Sequence, residues 1–246
     1  MSDAFAAQHF ELLLPWQLRE GVARRAVAYI PLGTYEWHGE HLPIGLDSLT
    51  SHGLCLRAAA KDGGVVLPPH YYSVGGGHGH YPWTIIKSEP DDIEAQLVFT
   101  LQRLESFGFK LAVLFSGHFP ELQLAMIDRV AANWNKRHGM LKVFATAVNR
   151  IEGLELAPDH AAIFETTLLA AMHPDLIQLN RLKSLDEAPL KAGENDFGEA
   201  RHDPTHPIYG VFGPDPRHFQ AEKAKVLLEA CIAWLVAQVK ARLPVV

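Results

Sequence analysis

Between Pro31 and Asp47 the chain reads PLGTYEWHGEHLPIGLD. Glu36 and His38 stand two apart, so in extended backbone their side chains point to the same side. Asp47 follows where a helix starts. Two carboxylates and an imidazole from one loop make half of a site for a divalent metal, because such ions take carboxylate oxygen and imidazole nitrogen together. The other half must come from elsewhere. His118, in Ser116-Gly117-His118 behind an apolar run, is placed for it. Glu165, in AAIFETTLLAA, lies within or beside an apolar stripe, where a carboxylate needs a partner. Histidine is abundant, 14 in 246 residues, and it serves metals and protons better than it serves a core. Plainer readings stay open on spacing alone. Glu36 and His38 also fit a solvated loop pair, His118 a bond to the backbone after its strand, and Glu165 a surface place at the edge of its stripe. His41, His52, His70 and His138 read as surface or capping residues, and His202, His206 and His218 as part of an irregular segment. Tyr35, Trp37 and Trp83 read as packing before pocket walls. No GxSxG elbow or HExxH pair occurs, and glycines 75–77 miss the dinucleotide fingerprint because His80 takes its last glycine position.

These residues need elements to hold them. Apolar runs rich in β-formers alternate with helical patterns: strands at 26–32, 65–72, 110–115 and 141–148, and helices at 47–61, 91–107, 121–138, 160–173 and 222–243. Asp47 or Ser48 is the expected cap of the first helix. Residues 73–83 form a Gly-rich loop, and 186–217 are irregular. The alternation predicts an α/β protein of three layers, α/β/α, with a mostly parallel sheet and helices on both faces. Ligands of such folds gather beyond the carboxyl ends of the strands. Glu36, His38 and Asp47 follow the first strand, His78 and His80 the second, and His118 the third.

Composition narrows the classes. The chain has 22 Lys plus Arg against 28 Asp plus Glu, a formal charge of −6, and 48% hydrophobic residues. That balance fits a globular protein and argues against disorder and against nucleic-acid binding, which needs a basic footprint. Two cysteines, Cys55 and Cys231, are too few for a disulfide framework, and Cys55 falls in an apolar helical run as a core residue. The opening residues lack the basic start of a signal peptide, and no run of about 18 apolar residues occurs. The expectation is a cytoplasmic chain without a membrane segment, forming a single domain over residues 1–246.

Together the motifs resemble those of the creatininase (creatinine amidohydrolase) family. Residues 31–47 resemble its first signature, in which Glu, His and Asp of one loop bind metal. GGGHGHYPWTI at 75–85 resembles its Gly-rich loop, Ser116-Gly117-His118 its Asn-Gly-His signature, and HAAIFETT at 160–167 its His-(x)4-Glu-Thr-Ser helix. GVFGPDP at 210–216 is similar to its late turn. The resemblance spans about residues 10–243. It implies a three-layer binuclear metal amidohydrolase, with zinc, manganese or iron as the two divalent ions, and a homo-oligomer, often a hexamer. Glu36, His38, Asp47 and His118 become metal ligands, Asp47 bridging. Some members take the fifth ligand two residues after the Asn-Gly-His histidine, which is Pro120 here and cannot ligate, so Glu165 is the expected fifth ligand and Glu121 the fallback. His160 becomes the general acid or oxyanion stabiliser and His78 a substrate contact; with Glu121 they complete the catalytic candidates.

The implied reaction is hydrolysis of a non-peptide C–N bond by a metal-activated hydroxide, with a small-molecule amide as partner. The chain departs from the family at Ser116, at Phe119-Pro120-Glu121, at Trp83, and at Leu156, where creatinine-hydrolysing members carry tryptophan. These changes keep the metal set and turn the expectation from creatinine to a cyclic amide, a formamide of a cofactor pathway, or another small amide. The competing expectation is a degenerate member that binds a ligand or partner without hydrolysis.

Overall fold

The structure, a computed structural model, describes residues 4–87 and 89–243. Its elements run α1 (Pro15–Arg24), β1 (Val27–Leu32), α2 (Leu46–Asp62), β2 (Val65–Val66), α3 (Asp91–Ser106), β3 (Leu111–Ser116), α4 (Glu121–Asn135), β4 (Lys142–Ala147), α5 (Ile163–Ala170) and α6 (Glu222–Arg242). The four strands form a parallel sheet in the order β2-β1-β3-β4. Parallel sheets are covered on both faces, and all six residues of β1 and of β3 are buried. Alternate residues serve opposite layers. Val27, Tyr29, Val113 and Phe115 pack with α2, α5 and α6. Ala28, Ile30, Leu32, Ala112 and Leu114 pack with α3 and α4. This is the expected three-layer α/β arrangement. Cys55 and Cys231 are both free thiols inside the first of these layers.

Strand order reverses at β1, whose neighbours are β2 on one side and β3 on the other. A crevice opens beyond the carboxyl ends where order reverses. Leu32 pairs with Ser116 at that rim. Gly33 and Gly117 come next, and both glycines are needed there. A Cβ on Gly33 would lie 2.2 Å from the Ser48 nitrogen, and one on Gly117 would lie 2.1 Å from the Asp47 carbonyl oxygen. The start of α2 is thus wedged against the ends of β1 and β3.

Several boundaries differ from the sequence expectation for physical reasons. The strand expected at 65–72 is regular only over Val65–Val66, because Pro68 and Pro69 cannot donate to a ladder. The chain still runs along β1 through Leu67 N–H to Tyr29 and His70 N–H to Pro31. Neither Asp47 nor Ser48 caps α2: the helix begins one residue earlier, behind Gly45, and Ser48 Oγ donates instead to the His70 carbonyl at 2.7 Å. The helix expected at 121–138 ends at Asn135, whose side chain is tied to Val143 by two bonds of 2.7 and 2.9 Å. The helix expected from 160 starts at Ile163, because Ala161 takes a left-handed φ of 57°. The helix α1 lies outside the expected set. Residues 186–217 are irregular as expected, broken only by short 3-10 turns.

Candidate metal centre

The crevice gathers side chains from four places. The loop after β1 brings Glu36 and His38, the first turn of α2 brings Asp47, the turn after β3 brings His118, and the first turn of α5 brings Glu165. All five are buried, none more than 4% exposed. Their ligand atoms form two triads that share one residue, Glu36–Asp47–His118 and His38–Asp47–Glu165, and within each triad the atoms lie within 4.8 Å of one another. His118 Nδ1 is 2.9 Å from Glu36 Oε2 and 3.2 Å from Asp47 Oδ2. His38 Nε2 is 3.3 Å from Asp47 Oδ1 and 3.5 Å from Glu165 Oε2.

The histidine tautomers are set from outside the cluster. His38 Nδ1 donates to the Glu36 carbonyl at 2.9 Å, which turns the lone pair of Nε2 inward. His118 Nε2 donates to the Gly75 carbonyl at 3.1 Å and turns Nδ1 inward. Such back-side bonds are how metal-ligating imidazoles are commonly oriented. Two inward atoms, His38 Nε2 and Asp47 Oδ2, are buried with only the 3.2 to 3.5 Å contacts inside the cluster and no aligned hydrogen bond. Buried polar atoms are normally satisfied, so a shared point among carboxylate oxygens and imidazole nitrogens fits a cation.

Electrostatics point the same way. Burial pushes the His38 and His118 imidazoles down, but Asp47 with Glu165 and Glu36 around them overcomes it and lifts both to about 10. Glu36 and Asp47 are held low against burial, chiefly by His118 and His38 respectively. Glu165 is raised well above the carboxylate range by burial, with Asp47 and Asp159 adding to it against His38. Without metal, the cluster holds protons where cations would otherwise balance its carboxylates.

Around the cluster is a cavity of about 180 Å³, lined also by His78, His160, Phe119, Pro120 and glycines 76, 77 and 117. His160 Nε2 donates to the Trp37 carbonyl at 3.0 Å. Burial drives its pKa down to about 3. Its backbone is held by two bonds of 2.8 Å to Phe212. His78 Nδ1 reaches Glu36 Oε1 at 2.5 Å. The fallback Glu121 does not come to the cluster: behind Pro120 it opens α4 as an exposed residue, outside all ligand groups among the described residues. Tyr35, Trp37 and Trp83 do not line the cavity. Trp37 is buried with Nε1 on the Tyr209 carbonyl, and Trp83 is 78% exposed.

Sequence reasoning missed two residues that support the site, Asp159 and Gln123. Asp159 accepts bonds from the N–H groups of Ala162, Phe164 and Glu165 at 2.7 to 3.3 Å, and so caps α5. Ala161 N–H in turn donates to Glu165 Oε2 at 2.6 Å. Ser116 Oγ, in place of the family asparagine, donates to the His118 carbonyl and accepts from Gln123 Nε2, while Gln123 Oε1 accepts from Val74 N–H. His41, expected as a surface or capping residue, is 1% exposed with Nε2 3.5 Å from the Thr166 hydroxyl, and burial lowers its pKa to about 4. Only the Asp before the His160 motif carried a cue, as a cap residue ahead of an apolar helix.

Comparison with known proteins fits this architecture. Creatinine amidohydrolase of Pseudomonas putida is 24% identical over 94% of this chain and 96% of its own length. The 3-dehydro-scyllo-inosose hydrolase of Thermotoga maritima is 25% identical over 92% of this chain and 81% of its own. A crystal structure of creatinine amidohydrolase superposes with a TM-score of 0.74 at 22% identity, covering 97% of this chain and 99% of that one. Solved creatininases of this fold include a zinc–zinc form and a manganese form, with TM-scores of 0.74 and 0.73. The sequence profile described as creatinine amidohydrolase matches residues 14–239, nearly the whole chain, and the chain belongs to the creatininase family.

Proposed function

We propose that the chain is a binuclear metal amidohydrolase that cleaves a non-peptide C–N bond of a small amide or cyclic amide. Glu36, Asp47 and His118 would hold one divalent ion, and His38, Asp47 and Glu165 would hold the other, with Asp47 common to both groups. The observation that carries the assignment is the pair of triads sharing Asp47, with His38 Nε2 and Asp47 Oδ2 left buried between them without an aligned hydrogen bond. Carboxylate and imidazole donors suit zinc first, and manganese or iron as well. Two such ions, when bound, lower the pKa of a water towards neutrality and polarise the carbonyl.

The chain's own residues do the rest. With the Nε2 proton of His160 committed to the Trp37 carbonyl, Nδ1 carries the lone pair. With Nδ1 left free of that bond, His160 is the group that would take a proton from the water and return it to the leaving nitrogen, or stabilise the oxyanion. Among the described residues lining the cavity there is no Lys or Arg, which favours a substrate without a carboxylate or phosphate of its own. Exposed Leu12, Leu14, Trp16 and Phe107 offer apolar surface for a homo-oligomer, a hexamer by the resemblance, and light scattering measures its size. No helix among the described residues is long and apolar enough to cross a membrane, and we place the enzyme in the cytoplasm.

Elemental analysis of purified protein tests the assignment, with about two divalent ions per chain expected. His38→Ala and Asp47→Ala lose metal and activity together, by about 10³-fold or more, since each ion supplies several kcal/mol in the transition state. A substrate panel follows with creatinine, lactams, formamides and a polyhydroxylated cyclic ketone. Full metal content in His38→Ala overturns the ligand set; two ions without turnover of any substrate favour the binding-only member.

A further inference from the structure

We propose that His78 is a positioning residue for Glu36: it holds one carboxylate oxygen so that the other is offered to the ion. The inference rests on Glu36 being a metal ligand. The two oxygens of Glu36 face different neighbours: Oε1 lies 2.5 Å from His78 Nδ1, while Oε2 faces the triad, 2.9 Å from its fellow ligand atom His118 Nδ1. A carboxylate oxygen only accepts, so the proton lies on His78 Nδ1 and that nitrogen is spent on Glu36 rather than on substrate.

The ring is also clamped, as a positioning group must be. His78 stacks on Phe212 at 5.1 Å and 16°, leans on His160 at 4.2 Å, and meets Tyr81 edge-on at 4.9 Å. Tyr81 is fixed in turn by its hydroxyl bond to His202 Nδ1 at 2.5 Å and by stacking on Tyr209. The Gly-rich loop makes this approach possible. Gly76 has a φ of 100°, which favours glycine, and lies against the His118 ring and Glu36 Oε1. The same loop holds His118 through the Gly75 carbonyl. One loop thus supports two ligands of one triad, and the substrate-contact expectation for His78 gives way to an outer role on the metal. Groups of this kind are worth about 10- to 100-fold in metal affinity.

The test is zinc and manganese binding by competition with a chromophoric chelator, on wild type and on His78→Ala, His78→Asn and His78→Gln, with circular dichroism to follow folding. Asparagine carries its amide nitrogen the same number of bonds from Cβ as Nδ1, whereas glutamine carries it one bond further. Wild type takes up two ions. His78→Ala weakens one of them by about 10- to 100-fold, His78→Asn restores most of that, and His78→Gln does not. Should the alanine variant fail to fold, the asparagine–glutamine contrast decides alone. Unchanged affinity in His78→Ala, or equal affinity in the asparagine and glutamine variants, overturns the role while the metal assignment stands. A wild type that takes up no ion overturns both.

Discussion

At the scale of single residues, His160 separates proton transfer from metal binding. Its Nε2 is bonded to a main-chain carbonyl, yet a ring nitrogen also lies within 4.8 Å of ligand atoms of Glu36 and His38, the same span as within each of the two triads. If it carries the proton, His160→Ala lowers kcat by about 10²- to 10⁴-fold and leaves two ions per chain. Loss of an ion in that variant, measured by elemental analysis beside steady-state kinetics, makes it a ligand instead. Glu36, His38, Asp47 and His118 stand out as candidates because they follow strands, where α/β folds expose chemistry, whereas Glu165 in a helix reads from spacing as a surface residue and becomes a ligand candidate through the family resemblance. Asp159 and Gln123 were not legible, since their work is to satisfy main-chain N–H groups, which leaves no periodic trace. His41 differs from the expectation for a related reason: nothing local distinguishes an imidazole that is buried from one that faces water.

At the scale of elements, the site depends on how closely α2 approaches the sheet. Gly117 follows β3 and donates to the Leu32 carbonyl at 2.8 Å, and a Cβ there would collide with the Asp47 main chain. Gly117→Ala must push back the turn that carries Asp47. The expected cost is about 1–3 kcal/mol of stability, read by urea titration, together with metal content below two per chain. A variant of normal stability and full metal content means that the rim has room that the geometry denies. The four strands and five of the six helices were readable from continuous apolar runs and 3.6-residue patterns. The start of α5 was not, because it is set by a left-handed Ala161 and the distant carboxylate of Asp159 and not by its own first residues. The short β2 reflects two prolines, a local rule that the apolar run before them obscured.

At the scale of the whole molecule, the buried cluster ties stability to metal and to pH together. Without metal, His38 and His118 are paired with carboxylates and their pKa values are raised to about 10. A raised histidine pKa gives stability that is fully present below the unfolded value of about 6.5 and is lost as pH climbs through about 10. Bound ions must displace those protons, so their affinity rises with pH. The same protons enter once: between about pH 6 and about pH 9 the metal-free protein weakens while the loaded protein, which carries none of them, holds level, so the gap between the two widens. At ion concentrations near 1,000 times Kd each ion contributes about 4 kcal/mol. In a chain of this length each kcal/mol moves Tm by roughly 2–4 °C, so stripping both ions with a chelator lowers Tm by on the order of 15–30 °C. Differential scanning calorimetry of loaded and stripped protein at both pH values reads the gap directly. It widens towards pH 9 if the triads exchange protons for metal, and a gap of equal size at both values would mean that the ions sit on groups carrying no protons to displace.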